Sequence, residues 1–88
     1  MKMIMVIVED HFSDATSSAL VKANFRVTRL ASTGGFLREG ATTLMVGVED
    51  DELETALQLI REQIPTSDNP EKIQATIYVL NVKDFKRV

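Results

Sequence analysis

The chain has 88 residues, of which 44% are hydrophobic and 26% charged, with a formal net charge of −3. This length predicts a single domain, residues 1–88, whose hydrophobic core is marginal for a chain that folds alone. The sequence has no cysteine and only one histidine, which excludes disulfides, thiolate zinc sites and a histidine-rich metal cluster within one chain. The acidic balance argues against nucleic-acid binding through a basic surface.

The first elements alternate strand, helix and strand. Met3–Val8 is a continuous apolar run, typical of a strand buried on both faces. It is followed by apolar residues at helical spacing, for which Asp10 or Ser13 is the expected N-cap and Asn24 a suitable end. Phe25–Ser32 then alternates between apolar and polar residues, which predicts a second strand.

The second half of the chain repeats strand and helix. Gly34–Gly40 interrupts the alternation as a loop, and Ala41–Val48 predicts a third strand. A strongly amphipathic helix is expected from Asp51 until Pro65 stops it, and Ile73–Val82 predicts a fourth strand. The order β-α-β-β-α-β indicates an α+β, ferredoxin-like sandwich: an antiparallel sheet with two helices on one face.

Side-chain alternation divides each strand between a helix-covered face and an open face. The set expected on the open face is mixed in polarity and includes Arg26, Thr28, Leu30, Ala41, Thr43, Met45, Gly47, Thr76, Tyr78 and Leu80. Soluble monomers rarely leave a large apolar patch in water, so we expect this face to pack against other subunits. A polar cleft between subunits would suit a small-molecule site.

The segment from Arg26 to Arg38 is the strongest candidate for binding chemistry. Arginine offers a forked donor to phosphate, Gly34 and Gly35 allow backbone N–H groups to approach an anion, and Phe36 could stack on a base. The alternative is a hairpin connection in which Phe36 packs on the core and the arginines pair with acidic residues. From the residues alone, this structural interpretation is favoured.

Other polar clusters predict little chemistry. His11, beside two acidic residues, could bind a metal across subunits, but it fits the solvated start of a helix better. Asp50–Glu52 is better explained as an acidic helix start than as a cation site. With one histidine, no nucleophilic triad is credible, so an enzyme is not expected. Since the N-terminal apolar run is too short for a signal peptide and no stretch approaches a membrane span, we expect a cytoplasmic protein.

Three stretches, MKMIMVIVED, LVKANFRVTRLASTGGFLREGATT and MVGVEDD, resemble the PII-like cyclic-di-AMP receptor family of bacterial signalling proteins. The likeness runs from Met1 to about Gln63 and resumes across Ile73–Val88. Members of that family are homotrimers of ferredoxin-like subunits that bind the dinucleotide in clefts between neighbours. The resemblance therefore implies a homotrimeric signal-transduction protein, whose ligand is cyclic di-AMP or another adenine nucleotide and whose downstream protein partner is unknown. It implies no resident cofactor, metal or membrane contact.

By position, the resemblance assigns ligand contacts to strand two, to the glycine loop and to strands three and four. The corresponding residues of this chain are Arg26, Thr28, Gly35, Phe36, Leu37, Ala41, Gly47 and Tyr78. In the family, the loop holds an adenine by backbone contact and stacking. Alternation alone also assigns Arg26, Thr28, Gly47 and Tyr78 to the open face.

Two departures from the family pattern favour other interpretations. Ala41 stands where the receptors carry an asparagine that helps to read the ligand, and Pro65–Lys72 replaces a much longer Gly/Pro-rich loop. A trimer that serves as a structural or protein-interaction module and has lost the nucleotide is the main alternative. A third is a small ferredoxin-like regulator that binds an amino acid or a metal.

Overall fold

The computed structural model describes residues 1–30, 40–65, 74–84 and 86–88. The strands are β1 (Lys2–Glu9), β2 (Arg26–Arg29), β3 (Ala41–Val48) and β4 (Ala75–Asn81). The helices are α1 (Asp10–Lys22) and α2 (Leu53–Glu62), and a 3₁₀ turn at Asp50–Glu52 leads into α2.

The strands form one antiparallel sheet in the order β2-β3-β1-β4, with β1 paired to both β3 and β4. This arrangement confirms the predicted α+β, ferredoxin-like fold. The core lies between one face of the sheet and the two helices. It is built from Ile4, Val6, Val8, Leu44, Val46 and Val48 of the strands and from Leu20, Ala56, Leu57 and Ile60 of the helices.

The end of α1 determines which face of the sheet each β2 residue occupies. Asn24 has φ 71°, a left-handed conformation that asparagine tolerates better than most residues. The N–H of Asn24 donates to the Val21 carbonyl and that of Phe25 to the Leu20 carbonyl, both at 3.0 Å, which is a Schellman motif. Phe25 therefore turns into the core, and Arg26 begins the strand on the opposite face.

Strand two is shorter than the predicted Phe25–Ser32, because the Phe25 N–H already closes the Schellman motif. At the other end, the Leu30 N–H still donates to the Thr43 carbonyl at 2.8 Å, whereas residues 31–32 lie outside the described ranges. The fourth strand lies within its predicted span, although residue 73 is not described.

The expected helix starts are corrected by the structure. The N-cap of α1 is Glu9, so the prediction of Asp10 or Ser13 was wrong. The Asp10 carboxylate instead accepts a 2.7 Å hydrogen bond from Thr42 Oγ1, and the Ser13 hydroxyl donates back to the Asp10 carbonyl. At the second helix, the predicted start at Asp51 falls inside the 3₁₀ turn rather than at the first residue of α2.

Candidate functional site

The register of the sheet aligns open-face residues in two rows that cross all four strands. The first row is Arg26, Gly47, Met3 and Leu80. The second row is Thr28, Met45, Met5 and Tyr78. The open face therefore has a methionine floor on its two central strands, with polar side chains on β2 and large exposed apolar ones on β4.

The polar end of the first row opens into a cavity of about 390 Å³, which we call the Arg26 cavity. Its lining is mixed in polarity and consists of Met1, Met3, Arg26, Thr28, Met45, Gly47, Val82 and Arg87. Three of the residues predicted to bind ligand, Arg26, Thr28 and Gly47, thus meet at one concavity. The volume lies within the range of about 300–1,000 Å³ that is usual for small-molecule pockets.

A second cavity, of about 600 Å³ and similar polarity, adjoins the first along the sheet. The two share the side of the floor formed by Met3, Met45 and Val82. The remaining lining of this Leu80 cavity comes from the end of β4 and the segment after it: Leu80, Asn81, Lys83 and Asp84. Together the cavities form a trough that is lined by two arginines at the β2 side and by the oppositely charged Lys83 and Asp84 at the β4 side.

No contact in the described part of the chain explains why residue 47 is a glycine. Glycine in a strand interior costs stability and often marks a place where a ligand or another backbone approaches closely. Its φ is not left-handed, and a Cβ built at Gly47 would meet nothing within 4 Å. The missing side chain leaves space in the Arg26 cavity rather than relieving a clash.

The arginines of β2 differ in their partners. Arg29 Nη2 lies 2.7 Å from Asp14 Oδ1 of α1, so the sequence-based alternative of a surface ion pair holds for this residue. Arg26 has no ion-pair partner among residues 1–30, 40–65, 74–84 and 86–88.

Tyr78 lies at the opposite edge of the sheet from Arg26 and Thr28. It is 50% exposed and lines neither cavity. Neighbouring strands lie about 4.8 Å apart, so three strand spacings place Tyr78 roughly 14 Å from Thr28. Within one chain, Tyr78 and Thr28 cannot contact the same small group.

At the Ala41 end of the sheet, the open-face positions are buried. Ala41 is 3% exposed, and its neighbours Thr43 and Ile7 are 2% and 7% exposed. Gly35, Phe36 and Leu37, the other predicted ligand contacts, fall in residues 31–39, outside the described ranges.

Sequence reasoning missed Arg87 as a lining residue of the Arg26 cavity. The one available signal was that the last six residues carry three of the ten basic residues of the chain. That concentration of charge does not indicate which cavity it reaches, because the contact depends on how the tail crosses the sheet.

The acidic groups near His11 and at Asp50 make ion-pair contacts with neighbouring groups of the chain. His11 Nε2 lies 3.4 Å from Glu9 Oε2, and the described residues contain no group of three potential metal-binding side chains. Asp50 Oδ1 lies 3.1 Å from the N-terminal ammonium, whose hydrogen bond and charge lower the pKa of Asp50. Within the described ranges, no helix has the length and apolar character needed to cross a bilayer.

Comparison with known proteins places these features in a family. One solved structure, of a functionally unknown protein from Pediococcus pentosaceus, superposes with a TM-score of 0.78 at 34% sequence identity, covering 99% of this chain and 96% of that chain. Since each chain covers nearly all of the other, the two are nearly equal in length. Residues 1–70 match the sequence model of the family described as cyclic-di-AMP receptor. The chain therefore belongs to the cyclic-di-AMP receptor family, a family of PII-like sensors.

Proposed function

We propose that this protein is a PII-like signal-transduction protein that binds an adenine nucleotide, cyclic di-AMP first among them, in clefts between the subunits of a homotrimer. It acts as a sensor rather than as an enzyme. The observation that carries the proposal is the convergence of Arg26, Thr28 and Gly47 on one cavity of the open face. Family membership alone would not require these three positions to meet.

The chemistry of the Arg26 cavity suits a phosphate-bearing ligand. The Arg26 guanidinium, without an ion-pair partner in the described part of the chain, presents a planar fork of donors. Thr28 adds a hydroxyl group from the next position on the same face of β2. The bare backbone at Gly47 lets a ligand approach the sheet without meeting a side chain.

The base would be held by the loop that the family resemblance implicates. In this proposal Phe36 stacks on an adenine, while Gly35 and Leu37 donate backbone N–H groups. Ligand binding orders Gly34–Gly40 and thereby biases an interaction with a partner protein. The C-terminal end of this loop is tied to α1, since the Asp10 N–H donates to the Gly40 carbonyl at 3.0 Å.

The apolar side of the open face supports assembly of subunits. Tyr78 and Leu80 are 50% and 48% exposed, and they continue the apolar floor formed by Met3 and Met5. Large apolar side chains exposed next to one another are typical of surfaces that pack against a partner. Tyr78 and Arg26 lie on opposite edge strands of one subunit. In a cleft between subunits, Tyr78 of one subunit and Arg26 of its neighbour could contact the same nucleotide.

Calorimetric titration with cyclic di-AMP tests the proposal. We expect saturable binding by the unmodified protein, and a loss of about 10-fold or more in affinity for both Phe36→Ala and Arg26→Gln. Arg29→Gln is the matched control, because it removes the same charge from the same strand at a residue already paired with Asp14. Absence of binding by the unmodified protein to cyclic di-AMP, ATP and ADP would overturn the proposal.

The second candidate is a structural or protein-interaction trimer of the same fold without a nucleotide. The observation that favours it is Ala41, which offers no hydrogen-bonding side chain and is buried. A homotrimer that shows no thermal shift with cyclic dinucleotides, ATP, ADP, amino acids or divalent metals would establish this alternative instead.

A further inference from the structure

A second arginine, distant from Arg26 in sequence, lines the Arg26 cavity. Arg87 belongs to the segment that follows β4 and is exposed. The start of that segment is attached to the sheet, because the Val82 N–H donates to the Met1 carbonyl at 3.1 Å and Val82 itself lines the cavity. The cavity therefore receives one guanidinium from an edge strand and another from the C-terminal tail.

The charge of this cavity is opposite to that of the whole chain. The chain has a formal net charge of −3, yet the described lining residues include two arginines and neither aspartate nor glutamate. In the adjoining Leu80 cavity, Lys83 and Asp84 carry opposite charges. Of the two cavities, only the Arg26 cavity therefore has an excess of positive charge in its described lining.

Neither arginine has an ion-pair partner in the part of the chain that the structure describes. Two cations that face one cavity repel each other, and an anion bound between them relieves that repulsion. Phosphate suits this position, because each guanidinium can present two parallel N–H donors to phosphate oxygens. A neutral ligand would leave both charges uncompensated.

We propose that Arg87 and Arg26 together bind the phosphate groups of the ligand, which makes the C-terminal tail part of the binding site. The identity of the nucleotide rests on the proposed function. The two arginines by themselves predict only that the cavity binds phosphate groups, including those of inorganic pyrophosphate. Arg87 lies beyond residues 1–70, so the match to the family does not assign it a role.

The test is calorimetry at low salt with two probes, cyclic di-AMP and inorganic pyrophosphate. Arg87→Gln is compared with Lys86→Gln, which removes the same charge from the neighbouring tail residue outside the cavity lining. We expect Arg87→Gln to weaken both probes by about 10-fold and Lys86→Gln to stay within about 2-fold of the unmodified protein. Arg87→Lys, which keeps the charge and loses the fork, should fall between them.

The outcomes separate this inference from the proposed function. If cyclic di-AMP binds and Arg87→Gln behaves like Lys86→Gln, the role of Arg87 is overturned while the sensor function stands. If cyclic di-AMP does not bind but pyrophosphate binds with dependence on Arg87, the phosphate site stands and the nucleotide assignment falls. If neither probe binds the unmodified protein, both are overturned.

Discussion

The two faces of the sheet are built from the same strands and have opposite characters. On one face, Ile4, Leu44 and Val46 are fully buried beneath the helices. On the other, Met3 and Met45 are only partly covered and Gly47 is exposed. The first face is completed by the chain itself, whereas the second carries cavities, two arginines and exposed apolar side chains. One face specifies the fold, and the other is the surface on which we propose that a ligand and neighbouring subunits bind.

The largest effect on stability should come from truncating a buried side chain on the helix-covered face. Leu44→Ala removes a side chain with no exposed surface, so we expect the free energy of unfolding to fall by about 2–5 kcal/mol. Met45→Ala is the matched control, since it is the next residue on the open face and only partly buried. Chemical denaturation measures both. A loss for Met45→Ala as large as that for Leu44→Ala would contradict the division of the faces.

The second prediction is a loss of ligand affinity without a loss of stability. Gly47→Val should leave the free energy of unfolding unchanged or raise it by up to about 1 kcal/mol, because valine favours strands and its Cβ meets nothing. Cyclic di-AMP should bind at least 10-fold more weakly, because the new side chain enters the Arg26 cavity. Titration calorimetry and denaturation provide the two readouts. If Gly47→Val bound cyclic di-AMP as tightly as the unmodified protein, ligand approach would not explain the glycine near the end of β3.

Gly40→Ala should show the reverse behaviour. Gly40 has φ +76°, so alanine there is expected to cost about 1 kcal/mol of stability through backbone strain. It lines neither the Arg26 cavity nor the Leu80 cavity, so the affinity of inorganic pyrophosphate, which probes the arginines without the Gly34–Gly40 loop, should change little. The same two measurements, made on Gly40→Ala, serve as the control for Gly47→Val.

The third effect concerns assembly. Leu80 and Val79 are neighbours on β4 with similar exposure, 48% and 43%, and they point to opposite faces of the sheet. Leu80→Ser should therefore raise the dissociation constant of the proposed homotrimer by several-fold, whereas Val79→Ser should leave it nearly unchanged. Sedimentation velocity over a range of concentrations measures the difference, and equal behaviour of the two variants would exclude the open face as the subunit contact.

The smallest effect is expected at the exposed ion pair beside the site. Asp14→Asn should lower the free energy of unfolding by less than about 1 kcal/mol, since both partners are exposed to solvent. It should also leave nucleotide affinity unchanged, because neither Asp14 nor Arg29 lines the Arg26 cavity. Denaturation and titration calorimetry measure the two quantities. A marked loss of affinity would extend the site along β2 as far as Arg29.

Local patterns were sufficient to predict the faces of the sheet. Alternation put Arg26, Thr28 and Gly47 on the open face, and the register of β2 with β3 agrees with that assignment. The left-handed residue that ends α1 could also be anticipated, because asparagine tolerates that conformation. Each of these features depends on residues close to one another in the chain.

Contacts between distant residues could not be predicted in this way. Asp10 reads as an N-cap, but its carboxylate instead accepts a hydrogen bond from Thr42, which is 32 residues away. Arg87 reaches the same cavity as Arg26 only because the tail crosses the sheet after β4. Neither periodicity nor composition predicts which distant segments pack together, so neither predicts these contacts.

Native mass spectrometry of the protein mixed with cyclic di-AMP tests the central claim most directly, because one spectrum reports assembly and ligand binding together. If the open face joins subunits and holds nucleotide between them, the main species is a complex of three chains carrying three dinucleotides. A spectrum of single chains with no bound nucleotide, at micromolar protein and excess ligand, would contradict the account.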